Sequence, residues 1–456
     1  MERGSEHLTG NYTDTLQVSP LPKLFAGILY NLFDRNVFLL RLPYAILGVL
    51  SAALVYLIIK KEYGHFYALL GGMLYVSSRV LFDSTRMLML EPLLHFFWLL
   101  FHFVYYKTFT SANYKNFVFS GLFFALALSS KLTSFILLPF IILGFLYKAK
   151  YLKPIYSVAI LSKNYAILLA TSAVIFSMQY LHQILIYGFI TSLLDTLHSL
   201  RDVYLTKSDE GKIHVINGVV YTKSPWWTYI YYYYFYNGVL RALMVGIFFA
   251  TAIFKRNFFT LYWAVFFTLS LVFNQVSGVK NFRYLSSIEL PLIFLAISGI
   301  NFLFSKLKAL YTRWIFLAIM LILTLSHFFY LYSLKPTEYL GLFNYFKSET
   351  SNFTEFKRLY AFGSIRSLRW YRDQIPNEHM LLFRRDYELL CLEFDTFDYF
   401  AFDKEDLLKA PDNFLYNYVA SNPNNFENVA VITDMHVYKR VNNLPSQVVC
   451  PQSAVE

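Results

Sequence analysis

The feature that most constrains this chain is a series of ten long apolar runs. Crossing about 30 Å of hydrocarbon takes roughly 20 residues of α-helix. The runs are therefore predicted to be membrane-spanning helices at 37–59, 65–82, 87–106, 116–130, 133–147, 164–186, 238–254, 258–275, 284–305 and 314–333. The composition agrees, because 57% of the 456 residues are hydrophobic and only 15% are charged.

The distribution of basic residues predicts how these spans are oriented. If residues 1–36 lie outside the cytosol, every short gap on the inner side carries at least two basic residues, as the positive-inside rule requires. These residues are Lys60, Lys61, Lys107, Lys115, Lys148, Lys150, Lys153, Lys163, Lys255, Arg256, Lys306, Lys308 and Arg313. The loop 187–237 and the tail from 335 then also lie outside. The net charge of +11 therefore orients the chain in a bilayer and does not indicate binding of nucleic acid.

The composition changes at about residue 335, where charged residues become frequent and the long apolar runs stop. Short strand-like and helix-like segments alternate beyond this point, namely 358–362, 364–373, 379–383, 404–420 and 428–433. Strands that alternate with helices indicate a small α/β domain. The predicted architecture is an all-α polytopic membrane domain over 1–334, followed by a small extracytoplasmic α/β domain over 335–456.

Charged residues at the outer ends of the predicted spans are the candidate site residues. The stretch from Asp83 to Glu91 places charges at the edge of the third span, where an unpaired charge costs several kcal/mol. We expect Arg86 to pair with Glu91 or Asp83 and so to structure this loop. Lys131 has no acid near it in the sequence, so it must face water, a lipid headgroup or an anion. Arg283 is either an interfacial anchor or a contact for an anion.

Aromatic residues close the outer loop 187–237, which ends in Ser224-Pro225-Trp226-Trp227 and a run of tyrosines. Such residues are typical of the headgroup level of a bilayer. Trp226 and Trp227 are also candidates for stacking on the apolar face of a sugar ring or on an isoprenoid. The sequence contains neither a metal-ligand cluster nor a glycine-rich phosphate loop, so we expect no metal and no cofactor.

Six short segments between residues 18 and 291 occur in the order found in one known family. They are Val18–Leu24, Arg41–Pro43, Thr85–Glu91, Ser129–Thr133, Ser224–Trp227, and Arg283–Tyr284 with Pro291. Together they resemble motifs of the GT-C class of membrane glycosyltransferases, especially the dolichyl-phosphate-mannose protein mannosyltransferases. Thr85–Glu91, for example, is similar to the family's Ser-Arg-x-x-Met-Leu-Asp, with Glu in place of Asp. The family's Asp-Glu pair in the first outer loop has no match, and Ser5-Glu6-His7 is the nearest pattern.

This resemblance implies that a hexose, expected to be mannose, moves from a polyprenyl- or dolichyl-phosphate carrier to an acceptor hydroxyl with inversion. The acceptor is a protein Ser/Thr or a glycan, on the non-cytosolic face. Such transfer needs a carboxylate that accepts the hydroxyl proton and fixed cations that hold the carrier phosphate. Glu6 is the expected base, with Asp14 as the alternative. Lys23, Lys131 and Arg283 are the expected phosphate contacts.

Two other functions stay open at this point. A multi-span transporter typically shows repeat symmetry and midplane charges, neither of which is obvious in the sequence. A non-catalytic GT-C-like subunit would account for the unmatched Asp-Glu pair. In each case the chain is expected in the plasma membrane of a prokaryote or in the endoplasmic reticulum membrane.

Overall fold

The computed structural model forms two compact units. The first comprises Met1–Glu210 and Ser224–Leu331, and the second comprises Gly211–Lys223 and Tyr332–Glu456. Residues 211–223 were predicted to be part of an outer loop of the membrane domain, but they cluster with the C-terminal unit. The structure describes residues 20–33, 36–86, 90–152, 157–187, 190, 194, 214–216, 219–221, 224–255, 257–276, 280, 282–307, 310–332, 338–351, 355, 357–362, 380–382, 397–403, 407, 414–432 and 435–442.

The described part of the first unit is helical. Its elements are α1 (Pro20–Phe33), α2 (Val37–Tyr63), α3 (His65–Val76), α4 (Arg79–Arg86), α5 (Glu91–Lys107), α6 (Tyr114–Ser130), a 3-10 turn (Leu132–Ile136), α7 (Leu137–Tyr151), α8 (Val158–Tyr187), α9 (Thr228–Asn237), α10 (Val239–Ala252), α11 (Phe258–Val276), α12 (Phe282–Leu307) and α13 (Leu310–Tyr332). The short α1 contains the apolar run Leu24–Phe33, which is too short to span a membrane.

Five helical segments of the described residues are long and apolar enough to cross a membrane. They are Phe38–Tyr63, Leu132–Tyr151, Val158–Met178, Phe258–Val276 and Arg283–Lys306. The predicted number of about ten spans is therefore not confirmed. Helices α5 and α6, for example, have 17 residues each. At 1.5 Å per residue they extend about 26 Å, which is slightly less than the hydrocarbon thickness.

The predicted span 65–82 is broken into two helices, so its prediction as one continuous helix was wrong. Helix α3 ends and α4 begins on either side of Ser77 and Ser78. The Oγ atom of Ser78 accepts a hydrogen bond from the backbone N–H of Leu81, as an N-cap does. Hydropathy alone does not reveal this break, because neither Pro nor Gly stands at the break itself, and Gly71 and Gly72 lie inside α3.

Aromatic packing joins helices α5, α11 and α12 in the core of the first unit. The ring of Trp263 on α11 stacks on Phe294 of α12, with the ring centroids 3.7 Å apart. His102 on α5 packs against Phe266 at 4.3 Å, and its Nδ1 lies 2.8 Å from the hydroxyl of Tyr262. These rings hold together three of the elements that line the candidate site described below.

Lys148 was predicted to lie in an inner gap, but its side chain is fully buried. Its Nζ donates to Thr108 Oγ1 at 2.5 Å and to the hydroxyl of Tyr165 at 3.2 Å. The same ammonium lies 4.0 Å from the centroid of the Phe109 ring. Hydroxyl groups and aromatic faces thus surround this charge and stabilise it by cation–π attraction. Lys148 thereby connects α7 to α8 and to the end of α5.

The second unit contains a five-stranded mixed sheet and a separate hairpin. Its elements are β1 (His214–Ile216), β2 (Val219–Tyr221), α14 (Glu338–Glu349), β3 (Leu359–Phe362), β4 (Met380–Leu382), β5 (Tyr399–Asp403), α15 (Phe414–Ser421), β6 (Phe426–Ile432) and β7 (Met435–Arg440). The strand order in the five-stranded sheet is β4-β3-β5-β7-β6. Strand β3 is parallel to β4 and β5, whereas β7 is antiparallel to β5 and β6. The separate hairpin consists of the antiparallel strands β1 and β2.

Two helices cover the two faces of this sheet. Leu342 and Phe346 of α14 pack in one cluster with Tyr399 of β5. Leu415 of α15 packs in another cluster with Phe400, which points to the opposite face. The predicted strands 358–362, 379–383 and 428–433 overlap β3, β4 and β6. The predicted helix 404–420 overlaps α15, and the predicted helix 364–373 lies outside the described residues.

Helices α10 and α12 approach closely at Gly299, which gives a first prediction. A Cβ atom at Gly299 would overlap the backbone carbonyl of Phe248. We expect Gly299→Ala to lower the free energy of unfolding by about 1–3 kcal/mol, because the two helices must separate.

The matched control is Gly246→Ala on α10, where an added Cβ meets nothing within 4 Å. That change is expected to be neutral or stabilising, since Ala favours a helix over Gly. Thermal unfolding in detergent would measure both variants. Equal melting temperatures for the two would contradict the close approach.

Candidate functional site

One narrow cavity in the first unit is lined by residues from α5, the 3-10 turn, α11 and α12. Its volume is about 10 Å³, which is room for about one water molecule. Its charged and polar lining residues are Lys131, Thr133, Asn274, Arg283, Tyr284, Ser286 and Ser287. Two of the three predicted phosphate contacts, Lys131 and Arg283, therefore lie at the same cavity, although they are far apart in the sequence.

The end of α6 holds Lys131 in place. The hydroxyls of Ser129 and Ser130 donate back to carbonyls of the last turn of α6. The N–H of Lys131 donates to Ala127 O at 3.0 Å, after which the chain enters the 3-10 turn. In that turn, Ser134 accepts a hydrogen bond from the indole N–H of Trp98 on α5, at 2.9 Å. Hydrogen bonds thus fix the end of α6 and the 3-10 turn on either side of Lys131.

Lys131 forms an ion pair with Glu91, the first residue of α5. The Nζ–Oε1 distance is 2.8 Å, and the two side chains are 15% and 3% exposed. Lys131 has no acid near it in the sequence, but the inference that it is therefore unpaired was wrong, because the fold brings it to Glu91, 40 residues earlier in the chain. The Nζ atom also lies 4.5 Å from the ring centroid of Tyr284. The N-terminus of α5 further favours the negative charge of Glu91.

The structure gives Glu91 a partner other than the expected Arg86. Helix α4 ends at Arg86, whose side chain lies outside the described residues. Asp83, one turn earlier on α4, is buried. The predicted role of Arg86 and Asp83 in structuring this loop therefore stays a prediction, while Glu91 has a structuring role toward Lys131.

Arg283 lies at the exposed start of α12, and hydrogen bonds hold the backbone of this helix end. Ser286 Oγ donates to the carbonyl of Arg283 at 2.6 Å and lies 2.9 Å from His95 Nε2 on α5. Asn274 on α11 donates to Ser287 Oγ at 2.9 Å. The start of α12 is thus attached to α5 and to α11. This arrangement places a guanidinium at the open side of the cavity.

Three other predicted site residues are not placed at this cavity. Lys23 lies on α1, is half-buried, and is not among the cavity-lining residues. Glu6 and Asp14, the predicted base and its alternative, lie outside the described residues. Within the part of the chain that the structure describes, no group of three or more His, Cys, Asp or Glu side chains could hold a metal ion.

The predicted stacking residues precede α9. Trp226 is 72% exposed, and Trp227 packs edge-on against Tyr231 with ring centroids 6.2 Å apart. Backbone carbonyls of this loop accept hydrogen bonds from α11 and from the segment before α12. Gln275 donates to Trp226 O at 3.0 Å, and Lys280 donates to the preceding carbonyl at 2.9 Å. The loop is therefore anchored next to the start of α12, and its stacking role stays a prediction.

A second buried ion pair was missed in the sequence. Arg241 on α10 and Glu289 on α12 lie 2.8 Å apart, with side chains 3% and 0% exposed. Each is a charge inside a predicted span, and such charges are expensive unless they are paired. Their opposite signs inside two spans were therefore a usable signal for this contact.

An apolar groove of about 390 Å³ runs between α2 and the α3–α4 pair. Ala45 and Val49 line it from α2, and Leu81 and Phe82 line it from α4. Arg41 and Thr85 also border the groove, so two of the six family-like segments meet there. Helix α4 lines the groove, and α5, the next helix in the chain, lines the cavity.

Comparisons with known proteins show which family profile and which folds this chain resembles. The sequence profile described as Dolichyl-phosphate-mannose-protein mannosyltransferase matches residues 17–178. The structure is similar to ArnT from Cupriavidus metallidurans bound to undecaprenyl phosphate. The TM-score is 0.51 at 10% sequence identity, and the match covers 96% of this chain and 92% of that one. The chain has a GT-C-like fold.

An archaeal protein shows the same likeness of fold. The oligosaccharyltransferase AglB from Archaeoglobus fulgidus, in complex with an inhibitory peptide and a dolichol-phosphate, matches with a TM-score of 0.53 at 12% identity. The match covers 88% of this chain but 64% of AglB, so the chain spans less than two thirds of that protein. No curated protein sequence matches the chain. The predicted resemblance to the GT-C class, whose members are lipid-linked-sugar glycosyltransferases, is confirmed.

The Glu91–Lys131 pair gives a second prediction. Removing one partner of a buried pair leaves the other charge uncompensated, which is strongly destabilising. We expect Glu91→Gln and Lys131→Met each to lower the melting temperature in detergent, and the double variant to recover part of the loss. A double-mutant cycle should give a coupling free energy above about 1 kcal/mol.

The control is the pair Lys357–Glu355 of the second unit, which is 2.9 Å apart but whose side chains are 27% and 54% exposed. Exposed pairs couple by about 0–1 kcal/mol. A Glu91–Lys131 coupling no larger than that of the exposed pair would contradict the assignment of a structural ion pair.

Proposed function

We propose that this protein transfers a hexose, in the first instance mannose, from a polyprenyl-phosphate carrier to an acceptor hydroxyl with inversion. The carrying observation is that Lys131 and Arg283, each a candidate phosphate contact from the sequence, line one cavity of a GT-C fold. A protein hydroxyl and a glycan hydroxyl are both acceptable acceptors in this proposal. The reaction would take place on the non-cytosolic face of a prokaryotic plasma membrane or of the endoplasmic reticulum membrane.

The cations would act on the leaving group. A sugar that leaves its carrier transfers negative charge to the carrier phosphate, and fixed donors that face this charge lower the barrier. The guanidinium of Arg283 can bind two phosphate oxygens at once. Glu91 holds Lys131 in one position beside it, so the ammonium need not reorganise during the reaction. The cavity is too small for a phosphate group, which would therefore bind at its open side.

The apolar groove beside α4 would hold the isoprenoid chain of the carrier. Its lining of aliphatic and aromatic side chains suits a hydrocarbon, and Arg41 and Thr85 are the polar residues at its border. ArnT and AglB, whose folds are similar, have been observed with undecaprenyl phosphate and dolichol-phosphate. The groove and the cavity together would accommodate a lipid tail and a phosphate.

The remaining roles are proposed from the sequence. Glu6 would accept the proton of the acceptor hydroxyl, with Asp14 as the alternative. Lys23 would be a further phosphate contact, and Trp226 and Trp227 would stack on sugar or isoprenoid. Turnover of Glu6→Gln compared with Asp14→Asn would separate the two candidate bases, since the true base variant should lose most of its activity.

A transfer assay tests the function and gives a third prediction. Membranes that contain the protein are incubated with labelled polyprenyl-phosphate mannose, and label is followed into protein and glycan. We expect transfer by the wild type and a loss of about tenfold or more in Arg283→Ala, because a charged hydrogen-bond donor to the leaving phosphate is removed. Since Arg283 is exposed, its replacement should lower the melting temperature much less than Glu91→Gln does.

The control is Lys115→Ala at the exposed start of α6. Lys115 is 16 residues from Lys131, about 24 Å along the helix. The Lys115→Ala variant should retain the full transfer activity of the wild type. Absence of transfer by the wild type to any acceptor would favour the non-catalytic subunit, and equal rates for the two variants would remove Arg283 from the site.

The groove gives a fourth prediction. Ala45→Trp places an indole in the groove, which should raise the KM for a long-chain donor several-fold but affect a donor with a shortened isoprenoid much less. Ala53→Trp, at another exposed position of α2 that does not line the groove, is the matched control. An equal rise in KM for both donors would show that the chain lies elsewhere.

A further inference from the structure

The break between α3 and α4 leaves backbone groups without partners inside either helix. Side chains from α9 and α10 supply these partners. Arg241 donates through Nη2 to the carbonyl of Leu74 at 2.7 Å and through Nη1 to Ser77 Oγ at 2.6 Å. On the other side of the break, Asn237 Oδ1 accepts the backbone N–H of Arg79 at 3.2 Å. The end of α3 and the start of α4 are thus both capped from outside.

One carboxylate from a third helix holds both caps. Glu289 Oε1 accepts from Arg241 Nη2 at 2.8 Å, and Glu289 Oε2 accepts from Asn237 Nδ2 at 2.9 Å. Both oxygens of the carboxylate are therefore used, and neither charged side chain is more than 3% exposed. Because the guanidinium and the amide are fixed by the same group, the two helix ends have a defined position relative to α12.

This network lies on helices next to those that carry the candidate site. Helix α4 is followed in the chain by α5, which begins at Glu91, and α12 carries Arg283 in its first turn, six residues before Glu289. Val80, which follows the break on α4, packs with Leu285 and Ile288 on α12. A change in the angle of α4 at the break would therefore move the start of α5, where Glu91 lies, relative to Arg283.

We propose that Arg241, Glu289 and Asn237 are positioning residues, which fix the break so that Lys131, held by Glu91 at the start of α5, and Arg283 face the same carrier phosphate. This proposal rests on the proposed function. A buried ion pair is seldom the most stable solution, since an apolar pair of similar volume is often as stable. The specific contribution of the network is that it caps two helix ends in one geometry, which an apolar pair does not do.

The experiment separates position from stability. The paired variant Arg241→Met with Glu289→Leu removes both charges and leaves no buried charge behind. Two readouts are compared with the wild type: amide hydrogen exchange of residues 77–86, which reports local opening, and the Kd for undecaprenyl phosphate. The exchange rate of residues 77–86 and the Kd should each increase by about tenfold or more, while the melting temperature changes little. If the paired variant does not fold, Asn237→Ala, which removes one cap, should increase both readouts in the same direction.

The control is Lys148→Met, which removes the buried ammonium in the aromatic cluster of α5, α7 and α8. It should leave both readouts at wild-type values even if it lowers the melting temperature. Unchanged exchange in residues 77–86, or increased exchange with an unchanged Kd, would overturn the proposal. A wild type that binds undecaprenyl phosphate but transfers no sugar would overturn the proposed function alone, because the binding readout does not depend on turnover.

Discussion

The structure of the first unit depends on the cost of placing a charge among hydrocarbon side chains. Burial of apolar surface is not directional, so it does not by itself decide which helix lies beside which. Buried charges do, because each must find its partner within the protein. Glu91 joins α5 to the end of α6 through Lys131, and Glu289 joins α12 to α10 through Arg241. For the buried Nζ group of Lys148, the partners are hydroxyl groups and the faces of aromatic rings.

The candidate site is built from the ends of helices. Lys131 follows the last residue of α6, Glu91 is the first residue of α5, and Arg283 is in the first turn of α12. Charged side chains are cheaper at such ends than in the middle of a span. At the same time, the helix bodies behind them are packed by large aromatic residues such as Trp263 and Phe294. The fold therefore combines a rigid support with charges that can contact a phosphate group.

The sequence predicts those features that depend on local pattern. Lys131 and Arg283 stand out because a charge at the edge of an apolar run is visible within a few residues. The pairing of Lys131 with Glu91 is not visible in this way, since it depends on how two helices pack. The same holds for the break at Ser77, where Arg241 from a distant span donates to the carbonyl of Leu74 and to Ser77 Oγ. A serine pair in an apolar run carries no signal without that partner.

In the second unit, the limit of prediction has a different cause. Strands β3 and β6 are short apolar segments, and they were found as such. Strand β7 was not, because its sequence ends in Tyr438-Lys439-Arg440 and looks half-polar. It forms a central strand because β5 and β6 pair with it on both sides. Strand pairing between distant segments thus decides its place, as helix packing decides the place of Glu91.

The second unit is assembled from two separate parts of the chain, Gly211–Lys223 and Tyr332–Glu456. Removing everything after Leu331 would therefore not yield the helical unit alone. It would leave the β1–β2 hairpin behind, without the sheet-forming residues with which it clusters. A shortened chain that comprises the helical unit alone must also have the hairpin replaced, for instance by a short polar linker between Glu210 and Ser224.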